Sequence, residues 1–241
     1  MGGRGSWAYQ GGGGGSYTPP RPTKSGKGET SNELGIMMRG RNLPETLDNF
    51  ARVIGNSKVE YSMVVDRNGN IIGDIYRGDS GSTSVDTRAA VRDRGSRTVH
   101  NHPDPYGFGG TFSTADLQFH ANVGNDSMQA TAREGTYLMQ RTSTTDYRAF
   151  GRAYNKAAPG LEAEWQRKWA KISSSKKFKT PEARARAERQ VFVGVYHRWF
   201  KDNAHKYGLR YTFAKGKGLS AGSSVHINDT YKDWYDRNRD Y

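Results

Sequence analysis

Apolar positions fall into short stretches set between glycine-rich or charged ones, and their spacing predicts the elements. In LPETLDNFARVIG (43–55), Leu43, Leu47, Phe50 and Val53 recur at helical intervals, and Gly55 suits a helix end. VEYSMVVDRNGNIIGDIYRG (59–78) holds two β-rich runs on either side of DRNGN, whose Asn68-Gly69 pair is a strong turn signal, so the stretch predicts a hairpin. SRTVHNH (96–102) and GTYLMQRTS (135–143) predict strands. Between them STADLQFHANVG (113–124) predicts a helix with Ser113 as N-cap and Gly124 at its end. Helix, hairpin, strand and helix alternating in this way argue for a compact α/β domain over 33–145.

Past residue 145 the pattern becomes mainly helical. GLEAEWQRKWAKIS (160–173) and TPEARARAERQVFVGVYHRWFKDNAHKYG (180–208) predict helices, the second opened by Thr180-Pro181 and closed at Gly208. Val191, Val195, Tyr196 and Trp199 give that helix an apolar face, and Trp165 and Trp169, four apart, make a packing stripe on the other. LRYTFA (209–214) is strand-like. Residues 1–32 are dominated by Gly, Pro, Ser and Thr, with too few apolar side chains to offset ordering entropy, and are expected to be a disordered tail. The organisation expected is therefore a tail (1–32), an α/β domain (33–145) and a mainly helical C-terminal region (146–241).

Composition narrows the chemistry. The 241 residues include no cysteine, which excludes disulfides, thiol nucleophiles and sulfur-ligated zinc, so any metal must be held by His, Asp or Glu. No apolar run approaches a membrane span. The net charge of +13 is uneven: residues 151–241 carry 20 lysines and arginines against 9 acids. A basic half of this kind suggests contact with nucleic acid or another polyanion, the alternative being a solvated helical surface.

The close histidine pair is the strongest chemical signal. If TVHNH is extended, alternation puts His100 and His102 on one face and Asn101 on the other. Asp116, in the first turn of the next helix, can supply an oxygen from a rigid element. Two nitrogens and one carboxylate leave a fourth zinc position for water, the arrangement of a catalytic site. Ser-x-x-Asp at a helix start is also a cap in its own right, with or without a metal. The contiguous letters His-Asn-His do not make an HNH nuclease, whose name refers to three dispersed residues. His120, one turn beyond Asp116, reads as an exposed helical histidine, and His197, His205 and His226 have no metal-ligand spacing.

HNHP followed by FSTAD resembles the His-x-His…Ser-x-x-Asp motif of the JAB/JAMM metalloprotease superfamily, particularly its bacterial, RadC-like and toxin- or phage-associated branches. The likeness runs from about Glu60 to Arg141, with ten residues between His102 and Ser113, a longer gap than the family's usual one. It implies a mixed β-sheet flanked by helices, with Zn2+ held by His100, His102 and Asp116. It also implies Glu60 as general base and Ser113 as donor to the tetrahedral oxyanion; Glu45 would be the next carboxylate to consider. The activity implied is hydrolysis of a peptide or isopeptide bond in a protein or peptide substrate. The alternative is a catalytically silent JAB-like module that binds nucleic acid or serves as a phage, mobile-element or toxin-associated protein. The compartment expected is the cytoplasm of a bacterial or phage-infected cell, or secretion as an effector.

Overall fold

The computed structural model describes residues 29–55, 57–79, 81–103 and 109–216. The expected N-terminal tail lies outside them up to residue 28, and the chain already forms a helix, α1 (Glu29–Met38), where the sequence suggested tail. Leu34 and Met38 of α1 are buried beside α2 (Leu43–Val53), whose N-cap Asn42 accepts from the Glu45 N–H.

Six strands form one mixed sheet in the order β2-β1-β3-β4-β5-β6. β1 (Tyr61–Val65) turns through DRNGN, where Asp66 accepts from the Asn68 and Asn70 N–H groups, and the returning chain pairs Ile71 with Val65 before β2 (Tyr76–Arg77). Gly69 has φ +92°, and a Cβ there would lie 2.3 Å from the Leu43 nitrogen, so this turn accepts only glycine. α3 (Thr87–Arg92) leads to β3 (Arg97–Asn101), antiparallel to β1 with Ser62 opposite His100. α4 (Thr114–Val123) carries the chain back so that β4 (Ser127–Thr131) runs parallel to β3. β5 (Gly135–Arg141) follows by a tight turn.

Helices cover both faces. On one, α1 and α2 pack over Tyr61, Met63, Val65 and Val99. On the other, α4 meets α5 (Tyr147–Ser173) and α6 (Pro181–Asn203) over Met128, Ala130, Tyr137 and Met139. A 3-10 turn (Ala204–Tyr207) and Gly208 then feed β6 (Leu209–Lys215), which pairs along the whole of β5.

The boundary expected after residue 145 therefore does not separate two units. β6 belongs to the same sheet, and Phe150, Tyr154 and Phe200 share one core with the β4 and β5 side chains. α5 also begins earlier than its sequence suggests and runs through Pro159. Phe150, Tyr154, Ala157 and Leu161 form one continuous stripe on the core, and that burial outweighs a single lost helical hydrogen bond. No helix among the described residues is long and apolar enough to cross a membrane.

Candidate metal centre

His100 and His102 leave β3 at the end of the sheet where α4 begins. Two residues apart on an extended chain, their rings turn to the same side, with centroids 4.7 Å apart. Asn101 points the other way: its amide donates to the Val59 carbonyl at 3.0 Å and its oxygen accepts from the Tyr61 N–H. That side chain ties the start of β1 to the end of β3 and so fixes the strand from which both histidines project.

Asp116 arrives on α4. Ser113 caps the helix by accepting from the Asp116 N–H at 3.1 Å, while Asp116 Oδ2 accepts from the Ser113 N–H at 2.7 Å. The reciprocal cap leaves the carboxylate facing the imidazoles, with Oδ1 3.3 Å from His100 Nε2 and Oδ2 3.6 Å from His102 Nε2. The two Nε2 atoms are 2.9 Å apart. With one ligand atom from each residue, the three lie within 4.8 Å of one another, close enough to converge on a single ion with bonds of about 2.1 Å. Among the described residues these three form a group that could hold a metal ion, and imidazole with carboxylate suits zinc and other first-row divalent ions.

Proton positions at the site follow from its acceptors. His102 Nδ1 lies 2.9 Å from the Gly110 carbonyl, which can only accept, so Nδ1 carries the hydrogen and a neutral ring keeps its Nε2 lone pair for a ligand bond. The Nε2–Nε2 contact then has His100 as donor. Burial alone would raise the Asp116 carboxyl, but the His100 ring, whose donor Nε2 lies 3.3 Å from Oδ1, holds it well below the ordinary carboxylate range. It is therefore an anion wherever the fold persists near neutrality.

Glu60 is buried one residue before β1, its N–H on the Asp79 carbonyl and its own carbonyl taking the Gly78 N–H. It lies two residues before Ser62, which stands opposite His100 in the β1–β3 register. It is not one of the three side chains that converge. Ser113 stands at the head of α4, and accepting from the Asp116 N–H leaves its own hydrogen to donate. Glu45 is remote: it is ion-paired with Arg41 at 2.9 Å, and its neighbour Thr46 donates to Gly69 at the far end of the β1 hairpin. His120 is wholly buried and not on the surface as its sequence context suggested.

Sequence reasoning missed the residues that hold the site loop. Gly109 and Gly110 donate through their backbone N–H groups to Glu134, and Arg189 of α6 donates to the Gly109 carbonyl at 3.1 Å. Thr111 shares a hydrogen bond with Tyr211 of β6, and Phe112 packs against Phe200. Nothing in the sequence around Glu134 or Arg189 singles them out. No protein-family model, curated protein or solved structure matches the chain.

Proposed function

We propose that the chain is a zinc-dependent peptidase or isopeptidase of the JAB/JAMM type, acting with His100, His102 and Asp116 as ligands. The observation that carries the reading is the convergence of two imidazole nitrogens and an ionised carboxylate at 2.9 to 3.6 Å, with the His102 lone pair freed by the Gly110 carbonyl. The order of HNHP and FSTAD along the chain supports the family within which it is read. A bound Zn2+ would supply Lewis acidity, polarising the scissile carbonyl and lowering the pKa of a coordinated water to roughly 7. Glu60 takes the proton of the attacking water on its carboxylate and hands it to the leaving nitrogen. Ser113 donates its hydroxyl hydrogen to the oxyanion as that charge develops, while its oxygen keeps the cap on α4.

The test is metal analysis of wild type and two variants. Zinc-supplemented wild type should hold one equivalent of Zn2+ per chain, and His102→Ala should hold almost none. Glu60→Gln should keep the zinc and lose hydrolysis of a working substrate by at least a hundredfold, because an amide cannot take the water's proton. Zinc below a tenth of an equivalent, or full occupancy by a different metal, removes the zinc assignment; wild-type rates in Glu60→Gln remove the base.

A second reading, a polyanion-binding module, rests on the α5–α6 hairpin. From Arg167 to Arg186 the exposed cations include Lys171, Lys176, Lys177 and Lys179, against a single exposed acid, Glu182. The same helix, α6, meets the loop beside the candidate metal centre further along, where Arg189 donates to the Gly109 carbonyl. The two readings are compatible in one chain, with the basic hairpin engaging a partner and the metal centre acting on it.

A further inference from the structure

We propose that Glu134 is a positioning residue for the metal centre: through the Gly109-Gly110 backbone it holds the His102 ring in the tautomer that presents Nε2. The inference rests on the metal-centre reading above.

Glu134 stands in the turn between β4 and β5, and each of its oxygens has its own backbone donor. Oε2 accepts from the Gly109 N–H at 3.0 Å and Oε1 from the Gly110 N–H at 2.8 Å. The Tyr137 hydroxyl adds a third bond to Oε1 at 3.0 Å, from a phenol that burial keeps protonated. The peptide joining Gly109 to Gly110 is held at both ends, its N–H by Glu134 and its carbonyl by the Arg189 guanidinium. With that plane fixed, the next carbonyl, Gly110 O, is aimed at His102 Nδ1.

The glycines are required by this path. A Cβ on residue 109 would lie 2.3 Å from the His102 carbonyl oxygen, and Gly110 has φ +94°, a conformation other residues rarely adopt. Only a backbone without side chains passes close enough to place a carbonyl on the ring. A carboxylate suits the clamp because two adjacent N–H groups need two separate acceptor oxygens; an amide would turn its NH2 against one of them. Outer bonds of this kind set which nitrogen of a ligating histidine is available, and losing one typically lowers metal affinity about ten- to a hundredfold.

The experiment uses the full chain and Co2+ as probe, with Glu134→Ala and Glu134→Gln beside wild type. Long-range 15N–1H correlation spectra of the metal-free proteins report the His102 tautomer; Co2+ titration by visible absorption reports affinity. Wild type should show His102 protonated on Nδ1 alone. Glu134→Ala should show both tautomers and bind Co2+ about ten- to a hundredfold more weakly. Glu134→Gln, which keeps the shape and one acceptor oxygen, should fall between, and it carries the test if the alanine variant does not fold. Unchanged tautomer and unchanged affinity in the folded variants would overturn the proposal, since a purely structural role shifts the melting temperature without moving either. A wild type that takes up no Co2+ would overturn the metal centre; the metal-free spectra then still decide whether Glu134 holds His102.

Discussion

His120 illustrates how much a single buried ring can weigh on stability. It is completely enclosed, with Nδ1 3.2 Å from Asn125 Oδ1 and the ring edge-on to Tyr147. Burial is the main reason its pKa falls from the ordinary 6.5 to about 4, assisted by the charge of Arg141. Between those values the unfolded chain binds a proton that the folded chain refuses, so stability drops as pH falls through the window. The loss attributable to this residue is roughly 2 to 3 kcal/mol by pH 4.5, since a tenfold change in proton affinity between the folded and unfolded chains is worth about 1.4 kcal/mol. Urea unfolding at pH 7 and pH 4.5 should show a difference that is smaller by that amount in His120→Phe, whatever its absolute stability. An equal difference in the two proteins would mean that His120 gains its proton inside the fold without penalty.

At the scale of elements, α4 combines a cap with a carboxylate of the candidate metal centre. Ser113→Ala removes the oxygen that accepts the Asp116 N–H but leaves the Ser113 backbone bond to Asp116 Oδ2 intact. We expect a loss of about 1 kcal/mol, near the typical value of an N-cap, seen as a melting temperature lower by about 2 to 4 °C. Metal binding should change little, whereas under the proposed function hydrolysis should fall, because Ser113 is there the donor to the oxyanion. Metal affinity dropping along with stability would show that the hydroxyl is needed to seat Asp116. This helix was legible in the sequence because its signals are local: Ser113 and Gly124 sit at its two ends, and Gly124 takes the left-handed conformation that closes it. So was the hairpin turn at Asn68-Gly69. β4 was not, because SMQAT lacks a branched apolar run; its burial comes from lying between β3 and β5, with Arg97 bonded to Gln129. The convergence of His100, His102 and Asp116 could be read because they lie within seventeen residues of one another in HNHP…FSTAD. Glu134 and Arg189 could not, since each reaches the site only through tertiary contacts made by the β4–β5 turn and α6.

Across the whole molecule, the C-terminal helices serve two ends of one structure. Near the sheet they are structural: removing everything after residue 145 would strip β6 from β5 and uncover Met128, Tyr137 and Met139, so the truncated chain should aggregate and bind no Co2+. A soluble fragment with wild-type Co2+ affinity would contradict that core. Away from the sheet the same helices carry the basic tip, where Arg184 stacks over Trp169 and Trp169 meets Phe178. Those contacts make the tip a fixed surface, with Lys176, Lys177 and Lys179 exposed around it. Binding of a polyanion by such a surface is driven by release of condensed counterions, so the logarithm of the association constant should fall linearly with the logarithm of salt. Each lysine that contacts a phosphate of duplex DNA contributes a slope of about −0.9. Replacing Lys176, Lys177 and Lys179 together by glutamine leaves the packed aromatics and the metal centre untouched, and should flatten the slope by up to about 2.7 while weakening binding at low salt. The measurement is duplex-DNA and RNA binding by both proteins from low to physiological salt, with Co2+ affinity as the control for folding. Identical affinities and slopes in the two proteins would make the basic tip an ordinary solvated surface.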